Sequence, residues 1–246
     1  MRRIMLIVAY QGTHYCGWQR QNGQITIEGV LNEELSKLFG EEITVIGASR
    51  TDAGVHAKGN VAVFDTHNDS IVSEKIAYAL NARLPRDIRV QLSKEVNKDF
   101  HPRYDKNRKK YTYKILNNTM QMPIYSAYTY HVYGNIDIEQ MKLATKYLVG
   151  ELDFKAFCSE KATVKSTVRT IYDISIEKDK DSIISISIEG NGFLYNMVRI
   201  IVGTLLEVGF GKIEADQVKA ILESKDRENA GPTAPAKGLI LDKITY

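Results

Sequence analysis

The chain has 246 residues, 43% of them hydrophobic, enough for a substantial core in one large domain or two closely packed halves. Its 33 basic and 30 acidic residues leave a formal net charge of +3, so bulk charge does not mark a nucleic-acid binder and only local clusters can. Cys16 and Cys158 lie far apart and the five histidines show no paired helical spacing, which excludes a disulfide scaffold, a zinc–thiolate site and an H-E-x-x-H motif.

In chain order, Ile4 to Tyr10 is an apolar run suited to a buried strand. A helix follows from Thr26 to Phe39, with Ile27, Val30, Leu31, Leu35 and Leu38 at helical spacing. Strands are expected at 42–48 and 59–66, a helix near 73–83 that stops before Pro85, and a strand near 88–94. The first half therefore reads β-α-β-β-α-β. In the second half Tyr111 to Leu116 alternates like a strand, and 137–149 carries Ile138, Met141, Leu143, Ala144 and Leu148 on a helical pattern. Strands at 168–178 and 182–189 flank a charged turn, an apolar helix spans about 194–208, a shorter one 214–223, and a last strand lies near 238–245.

Two halves of related element order predict an α+β chain of two ferredoxin-like units, divided as 1–105 and 106–246, with sheets that join across the middle. No residue-level repeat accompanies the pattern. The join near 95–110 has no Gly/Ser-rich linker, so the halves are expected to pack around a shared central cleft. No basic segment leads into an apolar one at the start, and no run approaches the ~20 apolar residues of a membrane span. The expectation is a cytoplasmic protein with no membrane segment, no metal and no small-molecule cofactor.

The most informative segment is Gly47-Ala48-Ser49-Arg50-Thr51-Asp52-Ala53-Gly54-Val55-His56-Ala57, between two strand candidates. It places one carboxylate, Asp52, beside one guanidinium, Arg50, on a connection where a scaffold holds a reactive group clear of its core. Taken alone, Asp-Ala-Gly reads more readily as an Asx-turn with no chemistry. A second cation, Arg199, sits on the apolar helix among Met197, Val198, Ile200, Ile201 and Val202. A cation there needs a partner or a route to solvent. Asp52 is an attractive partner, since pairing keeps its carboxylate ionised.

Arg103, Lys106, Arg108, Lys109, Lys110 and Lys114 are interleaved with Tyr104, Tyr111 and Tyr113. Cations for phosphates beside aromatic faces for bases suit single-stranded or flipped nucleotides, while the plainer reading is a solvated loop and core tyrosines. Gly209-Phe210-Gly211-Lys212 lacks the first Walker glycine and the Ser/Thr, and there is no G-x-S-x-G elbow.

Together these segments resemble the TruA family of tRNA pseudouridine synthases over nearly the whole chain. The resemblance is carried by Tyr10-Gln11-Gly12-Thr13, Gly17-Trp18-Gln19-Arg20-Gln21, the Asp52 loop, Phe100-His101-Pro102-Arg103 and Lys110-Tyr111-Thr112-Tyr113. Further on come Asp153-Phe154, Val168-Arg169-Thr170-Ile171, the run from Gly190 to Gly209 and Ala234-Pro235-Ala236-Lys237-Gly238-Leu239. It implies two RRM-like halves with a mixed, mainly antiparallel central sheet and helices on one face, a homodimer, and isomerisation of uridine to pseudouridine at positions 38, 39 or 40 of the tRNA anticodon arm.

Carried over by residue, the resemblance makes Asp52 the catalytic aspartate, Arg50 the residue that helps extrude the nucleotide, Tyr111 the aromatic platform for uracil and Arg199 the ion-pair partner of Asp52. Spacing leaves Tyr113 as an alternative platform. His56, Arg103, Arg108, Lys109 and Lys110 complete the expected RNA-binding set. Glu28 stands where the family pattern has Gln, which reads as a weakened RNA contact or an altered substrate preference; Pro102 and Leu152 also depart from the pattern. The rival from another class is a non-catalytic RNA-binding protein on two RRM-like halves, but Val61-Ala62-Val63-Phe64 lacks the aromatic-rich run of an RNA-reading third strand. A small-molecule enzyme would leave the basic tyrosine-rich segment without a purpose.

Overall fold

Alternate residues of the first strand, β1 (Arg2–Tyr10), point to opposite faces, and Ile4, Leu6 and Val8 are fully buried on one of them. The first helix, α1 (Ile27–Phe39), likewise buries Ile27, Leu31 and Leu35 completely. Burying each such side chain contributes about 1.5–3 kcal/mol. Thr26 caps α1 by accepting the Gly29 N–H at 3.2 Å, and Gly40 ends it in the left-handed region at φ +69°.

The computed structural model describes residues 1–159 and 164–246, which divide into two units: Met1–Asn107 with Ile240–Tyr246, and Arg108–Leu239. The fold is α+β. In the first unit β2 (Ile46–Gly47), β3 (His56–Thr66), α2 (Ile76–Asn81) and β4 (Ile88–Val96) follow α1, giving the expected β-α-β-β-α-β order. The strands run β4-β1-β3 antiparallel, with Ile4 opposite Phe64 and Leu6 opposite Ala62, and β2 antiparallel on β3. The last strand of the chain, β10 (Leu239–Thr245), lies parallel to β3 through Ile240–His56 and Leu241–Ala57. The other face of this sheet is apolar too: Met5, Ala48, Val61 and Val63 are buried there with Ile7, Ile46, Phe100 and Ile244.

The strand expected over 42–48 is cut to Ile46–Gly47 for a local reason. The Ile43 N–H donates to Ser36 Oγ and the Val45 N–H to Asn32 Oδ1, both at 2.9 Å, so α1 side chains take the donors that a sheet ladder needs.

The second unit holds β5 (Arg108–Asn117), β6 (Tyr130–Val132), α3 (Ile138–Thr145), β7 (Gly150–Asp153), β8 (Val168–Lys178), β9 (Ile183–Gly190), α4 (Met197–Gly209) and α5 (Gln217–Ser224). Its sheet runs β5-β9-β8-β7 antiparallel, with β6 parallel on β5. The short strands β6 and β7 were not expected from the sequence. Tyr113, Ile115, Ile184, Ile186 and Ile188 of its strands and Ile200, Ile201, Val202 and Leu205 of α4 are fully buried and belong to its core.

Candidate active site

In the first unit the Asp52 loop joins β2 to β3, and the segment after β1 lies behind it. The Trp18 N–H donates to Thr51 O at 3.0 Å and the Gly54 N–H to Tyr15 O at 3.3 Å. Tyr10 Oη and Thr51 Oγ1 are 2.7 Å apart, and Asn60 accepts the Ser49 N–H while donating to Ser49 O at 2.9 Å. Backbone also meets backbone directly. A Cβ on Gly12 would stand 2.0 Å from Val55 O, and one on Gly17 2.5 Å from Thr51 O. Gly47 lies against the Trp18 indole, whose ring nitrogen would be 2.3 Å from an added Cβ. Thr51 and Val55 are buried by this arrangement, whereas Asp52 is half-buried and Arg50 exposed.

Two of the expected RNA contacts have other work here. His56 was expected in the RNA-binding set, but it is only 2% exposed and its Nδ1 accepts the Gly12 N–H at 3.0 Å, which removes it from the surface. Arg103 is half-buried and donates from Nη2 to Gly47 O at 2.9 Å, at the base of the loop. Burial first, and then the neighbouring Arg50 charge, lower the Arg103 pKa from its ordinary value.

In the second unit β5 presents its two tyrosines quite differently from what their spacing suggests. Tyr113 is fully buried, its hydroxyl donates to Pro235 O at 2.7 Å, and a Cβ on Gly238 would stand 2.6 Å from its ring. Burial pushes the Tyr113 hydroxyl pKa up, so it stays a donor. This enclosure removes Tyr113 as a platform for a base. Tyr111, at 6% exposure, packs edge-to-face on Phe193 with ring centroids 5.3 Å apart. Thr112, on the other face, meets Ser187 at 2.8 Å across the ladder.

Arg199 in the first turn of α4 is held by two local acceptors. Its Nε donates to Ala234 O at 2.6 Å and its Nη1 to Asn196 Oδ1 at 2.8 Å. The Ala234 N–H returns a bond to Arg199 O at 3.1 Å, so the 234–238 segment fixes Arg199 and Tyr113 together. Asn196 takes φ +60° ahead of α4 and donates to Ser159 Oγ at 2.9 Å. Exposed Arg108 pairs with Glu189 at 3.6 Å and lies 4.4 Å over the Tyr172 ring centroid. Half-buried Lys109 and Lys110 follow it on β5, opposite Gly190 and Glu189.

Sequence reasoning gave roles to Asp52, Tyr111 and Arg199 but named Tyr10, Gly12, Gly17, Trp18, Asn196, Ala234 and Pro235 only within motifs, without their part as supports, and it did not name Asn60. Glycines 12 and 17 were a signal, since two in six residues after a strand allow another backbone to come close. Among the described residues no helix is long and apolar enough to cross a membrane, and no group of three or more His, Cys, Asp and Glu is placed to hold a metal ion.

Residues 6–105 and 144–246 match the family described as tRNA pseudouridine synthase. The chain is 53% identical over 246 residues to the tRNA pseudouridine synthase A of Thermoanaerobacter sp. (strain X514), with 100% of both chains covered. It is 48% identical to the protein of that name from Acetivibrio thermocellus and 46% identical to that from Brevibacillus brevis, again over 100% of both chains.

Proposed function

Since this chain belongs to the tRNA pseudouridine synthase family, isomerases that act on uridine in tRNA, we propose that its Asp52 acts at the sugar of a flipped-out uridine at position 38, 39 or 40 of the anticodon arm. One observation above the rest supports this reading. A half-buried aspartate stands on a loop whose flanks are fixed by backbone contact, the rigidity a reacting group requires.

The reaction breaks the N1–C1′ bond, turns the uracil and joins C5 to C1′. The proton on C5 leaves and N1 regains one, so the atoms balance with no outside reactant. Asp52 acts either as the nucleophile at C1′ or as the base that removes the 2′ proton. Extruding the nucleotide costs a few kcal/mol of stacking. Exposed Arg50 filling the vacated space, and Tyr111 against the uracil, offset that cost. The edge-to-face contact with Phe193 supports Tyr111 in this role because it fixes the plane of the ring. Arg199 is assigned the counter-charge for Asp52, and its two local acceptors support a fixed guanidinium. Arg108, Lys109 and Lys110 are assigned to phosphates.

Tritium release from C5-labelled uridine in tRNA transcripts tests the reading. Asp52→Asn is expected to reduce release to background while tRNA binding persists; full activity in this variant would remove Asp52 from the chemistry. Replacing Lys109 and Lys110 together with Ala is expected to weaken tRNA binding and to flatten the slope of log affinity against log salt by about 1.5. An unchanged slope would take β5 out of the RNA interface.

A further inference from the structure

Glu28 is a buried carboxylate engaged by its own chain. It is 6% exposed in the first turn of α1, where the helix N-terminus favours negative charge. Its Oε2 accepts two hydrogen bonds at 2.7 Å, one from Gln19 Nε2 and one from the Arg20 N–H, and its own N–H donates to Trp18 O at 3.0 Å. A weakened RNA contact, the reading its departure from the family pattern suggests, does not fit a side chain enclosed in this way.

The residues it holds are the ones behind the reactive loop. Ile27 and Glu28 donate their N–H groups to Gly17 O and Trp18 O, so residues 17–20 are tied to the start of α1 on one side. On the other side the Trp18 N–H donates to Thr51 O, and Gly17 lies too close to Thr51 to carry a side chain. Residues 17–20 are thus a spacer between a helix terminus and the residue before Asp52. A carboxylate suits the place for a second reason. The Glu28 charge favours the cationic form of Arg103, which bonds to Gly47 O where the loop begins, against burial and the repulsion from Arg50.

We propose that Glu28 is a positioning residue for catalysis, fixing Gln19 and Arg20 so that the spacer sets the height of the Asp52 loop. The proposal depends on Asp52 being the reacting group. A positioning fault appears in kcat, whereas a lost RNA contact appears in KM or tRNA affinity.

Steady-state turnover of tRNA transcripts by Glu28→Ala, Glu28→Gln, Gln19→Ala and Asp52→Asn decides the matter, with circular dichroism to verify folding. Glu28→Ala is expected to lose about 10- to 100-fold in kcat with KM within about twofold of the parent chain. Glu28→Gln keeps an oxygen for both N–H donors and is expected to recover most of that loss. Gln19→Ala, a change at a half-buried side chain, is expected to lose about threefold in kcat by the same split. If Glu28→Ala does not fold, Gln19→Ala carries the test. Parental kcat in the folded alanine variants, a defect confined to KM, or no recovery in Glu28→Gln overturns the proposal. Activity in Asp52→Asn would instead overturn the reading of Asp52, so the two failures are distinguishable.

Discussion

In the first unit the reactive loop is held largely by shape. Gly12, Gly17 and Gly47 let backbone and indole approach where no side chain fits, and the direct bonds from Trp18 and Gly54 run between main-chain atoms. In the second unit Arg199 and Tyr113 are held by directed donors, each reaching a carbonyl of the 234–238 segment. A loop held by close approach tolerates no added atom at Gly12, Gly17 or Gly47, and its polar supports, Glu28 among them, act behind those contacts. A site held by donors accepts changes of volume but not the loss of an N–H or O–H. The two regions should therefore fail under opposite substitutions.

Gly17→Ala should have the largest effect. Its φ of +81° disfavours any Cβ, and the added atom would overlap Thr51 O at 2.5 Å. A destabilisation of about 3 kcal/mol is expected in urea titration. A fall in tritium release on the order of 100-fold should accompany it as the loop is displaced. Parental stability in this variant would break the idea that shape holds the loop.

Arg199→Lys probes the opposite case. The charge stays, but the fork that engages Ala234 O and Asn196 Oδ1 is lost. Turnover is expected to fall about tenfold or more, with only about 1–2 kcal/mol lost in stability. A lysine that restored full turnover would show that charge alone matters there.

The contrast also explains what the amino-acid sequence discloses. The continuous apolar run from Ile4 to Ala9 reveals β1 because both of its faces are covered, and helical spacing at Ile27, Leu31 and Leu35 reveals α1 because it buries one face. The same rule misreads 42–48, where buried Ile43 and Val45 look like strand residues but give their N–H groups to Ser36 and Asn32 of α1. The pairing of β10 with β3 joins residues about 180 positions apart, and no local pattern encodes it. Within the candidate site the chemistry-bearing types are legible and their surroundings are not. Tyr111 and Tyr113 are equivalent by spacing, and only Pro235 and Gly238 separate them. His56 has the composition of a ligand-binding residue, and its burial against the Gly12 N–H becomes apparent only in three dimensions.

Tyr113→Phe sharpens the comparison with the smallest expected change. It removes the hydroxyl donor to Pro235 O and leaves the ring against Gly238 in place. If donors hold this segment, stability should fall by about 1 kcal/mol, the net worth of a single hydrogen bond. The Pro235 carbonyl accepts its bond at the end of the same segment that grips Arg199 through Ala234, so a small loss of turnover should follow in step. KM for tRNA should not change, because an enclosed ring has no face to offer a base. A large rise in KM would reinstate Tyr113 as a substrate contact. No change in either stability or turnover would mean that the second unit, like the first, is held by the fit of its ring against a glycine.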